Sequence, residues 1–181
     1  MKAAHERGGK VDTHLQIRQM NSEDVEVVYR ALEEHGIGKP RDYIQRCWDE
    51  NQSGERLTLI AFYDQQFAGW LHLLSKSYYP SFVEEGIPEI NNFEVVPTLR
   101  RKGIGNALMD AIEQVAFDKC GVVGIGVGLY SDYGNAQRLY VKRGYIPDGR
   151  GVFFEGKHAE PGSFVQVGHD LALYLTKTKP S

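Results

Sequence analysis

The sequence predicts an α/β domain of α+β-like character, in which one mixed β-sheet is flanked by about four helices. Three observations carry this. Two strand-like runs, 57–63 and 67–74, are separated by Asp64, Gln65 and Gln66, the pattern of a hairpin. The run 89–96 leads through a short basic, glycine-bearing turn into the most regular helical pattern in the chain, and an apolar run at 122–130 follows. A strand, a helix and a strand in that order make a right-handed crossover between parallel neighbours. A hairpin before such a unit requires both antiparallel and parallel pairing.

The elements follow in order. Residues 1–11 are polar and read as a flexible N-terminal extension, which leaves 12–181 as the domain. Residues 13–19 alternate like a short strand. Asn21 or Ser22 starts a helix with Asp24 in its first turn and Val25, Val28, Tyr29 and Leu32 on one face. Gly36 and Gly38 end it. Pro40 opens a second helix carrying Tyr43, Ile44, Cys47 and Trp48 on one side. After the hairpin, Pro80, Gly86 and Pro88 mark 75–88 as a loop. The strand 89–96 stops at Pro97. Ile104, Ala107, Leu108, Ala111, Ile112, Val115 and Ala116 repeat at helical spacing. The run 122–130 is a buried strand rich in glycine. Residues 133–143 form a short helix closed by Gly144. Strands near 152–155 and 167–175 complete the order β-α-α-β-β-β-α-β-α-β-β.

Composition narrows the function classes. A chain of 181 residues buries roughly 70% of its unfolded surface and folds without staples. A net charge of −3 argues against a general nucleic-acid or anionic-membrane binder. No apolar run approaches the ~20 residues that span a bilayer. Residues 1–12 lack the apolar stretch of a secretory signal, so the expected location is the cytoplasm. Cys47 and Cys120 read as two buried thiols in a reducing compartment. The six histidines form no i, i+4 pair and no CxxC occurs, so no metal is expected.

The turn Arg100-Arg101-Lys102-Gly103-Ile104-Gly105 is the main chemical feature. It joins a strand to the start of a long helix, where backbone N–H groups lack internal partners and the helix dipole favours anions. Gly103 and Gly105 let the backbone approach a ligand, and three cations match a diphosphate better than a lone carboxylate. The spacing is not that of a P-loop, and no G-x-G-x-x-G is present. Gly124-Ile125-Gly126-Val127-Gly128 comes closest, but it lies within a strand.

The run Phe93-Glu94-Val95-Val96-Pro97-Thr98-Leu99 through Gly105 resembles the acetyl-CoA motif of the GNAT superfamily of N-acetyltransferases. One strand later, Ala136-Gln137-Arg138-Leu139-Tyr140-Val141-Lys142-Arg143-Gly144-Tyr145 resembles the second signature of that family. The resemblance covers 13–175. It implies acetyl-CoA as co-substrate, without a metal. The backbone of Phe93, Glu94 and Val95 would receive the pantetheine arm in a gap between 89–96 and 122–130. Arg100 and the backbone amides of Arg101, Lys102, Gly103, Ile104, Gly105 and Asn106 would hold the pyrophosphate. Tyr140 would sit near the sulfur. Many members carry Asn seven residues before that tyrosine. Here Tyr133 occupies the position, and Asn135 lies nearby.

The implied reaction is attack of an amine on a thioester. Glu89 is the first candidate for the base and Glu94 the second. Tyr140 is the candidate donor of a hydrogen bond to the developing thiolate. A backbone N–H near Val95 would polarise the carbonyl. Glu84 and Glu85 could attract a cationic amine or simply be solvated. The acceptor, a small-molecule or protein amine, would be met by residues 30–55, 75–88 and 155–168. A homodimer is compatible with this reading. The alternative is a non-catalytic acyl-CoA-binding module.

Overall fold

The computed structural model describes residues 14–180, so the extension expected at 1–11 lies outside the described residues. Strands β1 (Leu15–Gln19), β2 (Arg56–Tyr63), β3 (Gln66–Leu74) and β4 (Glu89–Val95) pair antiparallel in succession. β4 then runs parallel to β5 (Val122–Gly128). β8 (Leu171–Thr178) pairs with β5, and β6 (Ile146–Phe154) with β8. A two-residue β7 (Lys157–His158) closes the far edge of the eight-stranded sheet among the described residues.

Alternation along the strands sends side chains to both faces of the sheet. On one face, Leu71, Leu73, Ile90, Val123 and Ile125 meet Leu108, Met109, Ile112 and Ala116 of helix α4 (Ile104–Cys120). Helix α5 (Gly134–Lys142) joins this core through Tyr140. On the other face, Ile60, Phe67 and Trp70 pack against Val25, Val28 and Leu32 of α1 (Asp24–Glu34). Ile44 and Cys47 of α2 (Arg41–Ser53) complete that layer.

The mixed sheet and helix order agree with expectation, with local corrections. The presumed loop 75–88 contains a helix, α3 (Pro80–Glu85), which makes five α-helices among the described residues instead of four. Pro80 pre-sets its first turn, Gly86 closes it at φ 65°, and Phe82 is fully buried. Tyr133 lies in a 3₁₀ turn (Ser131–Tyr133), one residue before α5. β6 starts earlier than expected, at Ile146, and its register with β8 breaks between Pro147 and Val152. Cys47 is buried, but Cys120 is exposed, because it is the last residue of α4.

The glycines of β5 have a packing reason. Cβ atoms at Gly124, Gly126 and Gly128 would come within 2.2, 2.9 and 2.4 Å of the rings of Phe82, Tyr174 and Tyr133. One face of this strand is therefore a bed for three aromatic rings. Real Cβ atoms do not approach that closely, so glycine is required by the close approach rather than by a turn.

Candidate active site

The parallel pair β4–β5 holds for only two positions, Glu89 opposite Gly124 and Ile90 opposite Ile125. Beyond them β4 stays with β3, and the edge facing β5 is open. Glu94 pairs with Trp70, and Val96 N–H donates to the Ala68 carbonyl, so both turn toward β3. Backbone direction alternates along an extended chain, so the groups of Phe93 and Val95 face the gap. A cavity of about 1580 Å³ occupies this gap and continues toward the start of α2. A site for one drug-sized ligand takes roughly 300–1,000 Å³, so the cavity has room for two reactants.

At the mouth of the gap, Arg101 and Gly103 adopt left-handed conformations, with φ of 62° and 81°. Gly103 is the N-cap of α4 and provides no side-chain cap. The first intrahelical bond runs from Ala107 N–H to the Gly103 carbonyl. The amides of Ile104, Gly105 and Asn106 therefore have no partner within the helix, and the first turn carries no acidic residue. Gly105 lets α4 approach β4: a Cβ there would sit 3.1 Å from the Phe93 ring. These donors fit an anionic diphosphate.

The cations of the turn separate. Arg100 folds back, its Nε donating to the Val95 carbonyl at 3.1 Å. Lys102 Nζ lies 4.5 Å above the Tyr63 ring, outside the cavity. Arg101 lines the cavity. The Asn106 side chain accepts from Arg143 Nη1 at 3.3 Å. Asn135 is exposed at the start of α5 and also lines the cavity. The Gln137 amide donates to the Gly128 carbonyl at 2.7 Å and pins α5 to the end of β5.

Tyr140 stands on α5 with only 5% of its surface exposed, and it lines the cavity. Burial, reinforced by nearby Tyr133, pushes its phenol well above its ordinary value. The group is held as a neutral O–H donor. Tyr133, at the position where Asn was expected, packs on Gly128 and contacts His169 Nδ1 through its hydroxyl at 3.0 Å.

Glu89 departs from a solvated strand end: it is 3% exposed. Ser77 Oγ donates to it at 2.5 Å and Asn91 Nδ2 at 3.4 Å. Ser77 Oγ in turn accepts the Tyr79 N–H at 2.8 Å. Desolvation outweighs these bonds and raises the carboxyl above its usual range. Glu94 accepts from Trp70 Nε1 at 2.8 Å and lies 3.5 Å from Lys39 Nζ.

Two residues that sequence reasoning missed, Lys39 and Asn92, join this wall, with His72 and Thr58 buried behind them. Lys39 Nζ donates to Asn92 Oδ1 at 2.7 Å, and Asn92 Nδ2 lies 3.1 Å from His72 Nε2. The lysine fixes the orientation of the Asn92 amide, so His72 Nε2 must accept. His72 Nδ1 then carries the proton and donates to Thr58 Oγ1 at 2.8 Å. Burial, with the charges of Arg56 and Lys39, drives this imidazole well below its ordinary value and keeps it neutral. Asn92 sits at φ 48°, where β4 bulges opposite Trp70 and His72. The bulge is what lets Asn92 reach both partners. An Asn-Asn pair inside a strand pattern, unfavourable for a regular strand, was the available signal. Among the described residues, no group of three His, Cys, Asp or Glu is arranged to hold a metal ion.

The fold agrees with comparisons to known proteins. The sequence model described as the acetyltransferase (GNAT) family matches residues 20–145. No curated protein sequence matches the chain. Among solved structures, the fold is similar to that of a protein from Desulfovibrio desulfuricans described as a GNAT-family acetyltransferase. That pair is 19% identical over 91% of this chain and 98% of the other, with a TM-score of 0.67. The Vibrio cholerae spermidine N-acetyltransferase, solved with CoA and spermine, is 12% identical over 93% and 97%, with a TM-score of 0.64. The Salmonella typhimurium acetyl transferase that modifies the N-terminal serine of ribosomal protein L7/L12 is 11% identical over 93% and 96%, with a TM-score of 0.67. At these identities the likeness concerns the fold alone.

Proposed function

This chain belongs to the acetyltransferase (GNAT) family, and from that premise we propose that it transfers an acetyl group from acetyl-CoA to a primary amine by direct attack in a ternary complex. The observation that carries the reading is the open edge of β4, with unpartnered α4 amides at one end and Tyr140 lining the same cavity. The pantetheine arm lies along Phe93 and Val95 as an added strand. The amides from Arg101 to Asn106 take the pyrophosphate, and Asn135 borders the same channel. Arg100 and Lys102 contribute charge near the turn.

Glu89 takes the proton of the attacking amine, directly or through water. The new C–N bond forms as the C–S bond breaks. Tyr140 donates a hydrogen bond to the departing sulfur, and its raised pKa suits a group that stabilises charge while keeping its proton. The N–H of Val95, on the gap side, polarises the thioester carbonyl. The base must be ionised, so the rate rises with pH through the raised pKa of Glu89. Lys39, Asn92 and Glu94 shape the acceptor end, which the opening of α2 and the aromatic ring of Tyr174 enclose. The acceptor is a small-molecule or protein amine.

A thiol-release assay with acetyl-CoA and a panel of polyamines, amino acids and peptide N-termini tests this reading. Release of free thiol that depends on one class of amine is expected. Tight CoA binding with no release for any amine would point instead to a non-catalytic acyl-CoA-binding module.

A further inference from the structure

A second hollow, of about 910 Å³, opens beside the diphosphate turn and shares Arg101, Asn106 and Asn135 with the main cavity. Its walls are strongly cationic in a chain whose net charge is −3. The cations fall into two groups. Arg143 and Lys177 are neutralised: both reach the buried carboxylate of Glu113, at 2.9 and 2.6 Å, and Arg143 also takes Asp110 at 2.6 Å. Among the described residues, Asp110 is the only carboxylate lining the hollow. Arg101, Arg138 and Lys142 form no ion pair among the described residues. Arg138 and Lys142 are one turn apart on α5, both exposed, a like-charge spacing that disfavours a helix unless an anion bridges it.

We propose that Arg138 and Lys142, together with Arg101, receive the 3′-phosphate of the coenzyme A nucleotide and so select the 3′-phosphorylated donor over its dephospho form. This rests on the coenzyme reading above. Three considerations favour that ligand. The hollow continues outward from the turn that meets the pyrophosphate, as the nucleotide must. A phosphomonoester carries close to two charges near neutral pH and offers three acceptor oxygens, which suits several unpaired cations. The neighbouring Arg143–Glu113–Lys177 cluster is already satisfied, so it holds α5 in place without competing for the anion.

Calorimetric titration of the full chain with CoA and with dephospho-CoA tests this. CoA is expected to bind roughly thirtyfold more tightly at low salt, and the ratio should shrink as salt is added. The double variant Arg138→Ala/Lys142→Ala should bring the ratio toward one while leaving the dephospho-CoA affinity in place. Equal affinity of the unmodified chain for both ligands overturns the proposal, as does a double variant that weakens both alike. Equal affinity combined with loss of inorganic-phosphate binding in the double variant would reassign the groove to an anionic acceptor. If neither coenzyme binds, the coenzyme reading falls and this inference falls with it.

Discussion

On the side of the cavity where the proposed donor lies, the groups offered to a ligand belong to the backbone. The gap edge of β4 presents Phe93 and Val95, and the start of α4 presents Ile104, Gly105 and Asn106. On the proposed acceptor side they are side chains from separate elements, Lys39 before α2 and Glu89, Asn92 and Glu94 in β4, backed by the buried His72 of β3 and Ser77 before α3. The two sides therefore fail in different ways. A backbone site tolerates changes of side chain but not of φ or of close approach. A side-chain network tolerates backbone drift poorly and loses a whole chain of partners when one member is removed.

The largest expected effect lies where the two sides meet. Tyr140→Phe should lower kcat by about 10²–10³-fold, with the Kd for CoA nearly unchanged. An unaltered kcat on an authentic amine would remove the phenol from the chemistry. Next comes Glu89→Gln, expected to reduce kcat/KM by about 10²-fold and to abolish its rise with pH. The sign follows from the raised pKa. The folded state favours the protonated carboxyl, so stability from this group is present at low pH and lost as pH rises through the folded value. The Gln variant should therefore lose less stability than the parent as pH rises through that value, which melting curves across pH would reveal.

Gly124→Ala probes packing away from both ligands. Its Cβ would lie 2.2 Å from the Phe82 ring, and such overpacking costs about 2–3 kcal/mol. A drop in Tm of about 5–10 °C is expected. An unchanged Tm would show that α3 can move off β5. The smallest effect is that of Asn92→Ala. It strips a partner from His72 and Lys39 and should cost about 1–2 kcal/mol in stability. It should also raise KM for the amine while sparing the Kd for CoA. Loss of coenzyme affinity instead would erase the division between the two sides.

The same division explains how much could be read from the sequence. The donor turn is contiguous, and Gly103 and Gly105 stand where a left-handed φ and a close contact with Phe93 demand them. The apolar repeat of α4 is long enough to be unmistakable. The acceptor network has no such signature. Lys39 and Asn92 are 53 residues apart, and only the fold brings them together. Glu89 reads as a strand-end carboxylate until Ser77 and α3 cover it. Six residues of α3 are too few to display helical periodicity, and Pro80 and Gly86 resemble loop punctuation as well as helix caps. In β6, Pro147, Gly149 and Gly151 hide a strand that is nonetheless paired at both ends.

The central claim is that the donor completes the open edge of β4. Residue-resolved amide hydrogen exchange with and without acetyl-CoA tests it most directly. The account predicts new protection at Phe93 and Val95 and at the amides from Gly103 to Asn106, with little change at Glu94, which already faces β3. Acetyl-CoA binding that leaves Phe93 and Val95 exchanging as before would contradict it.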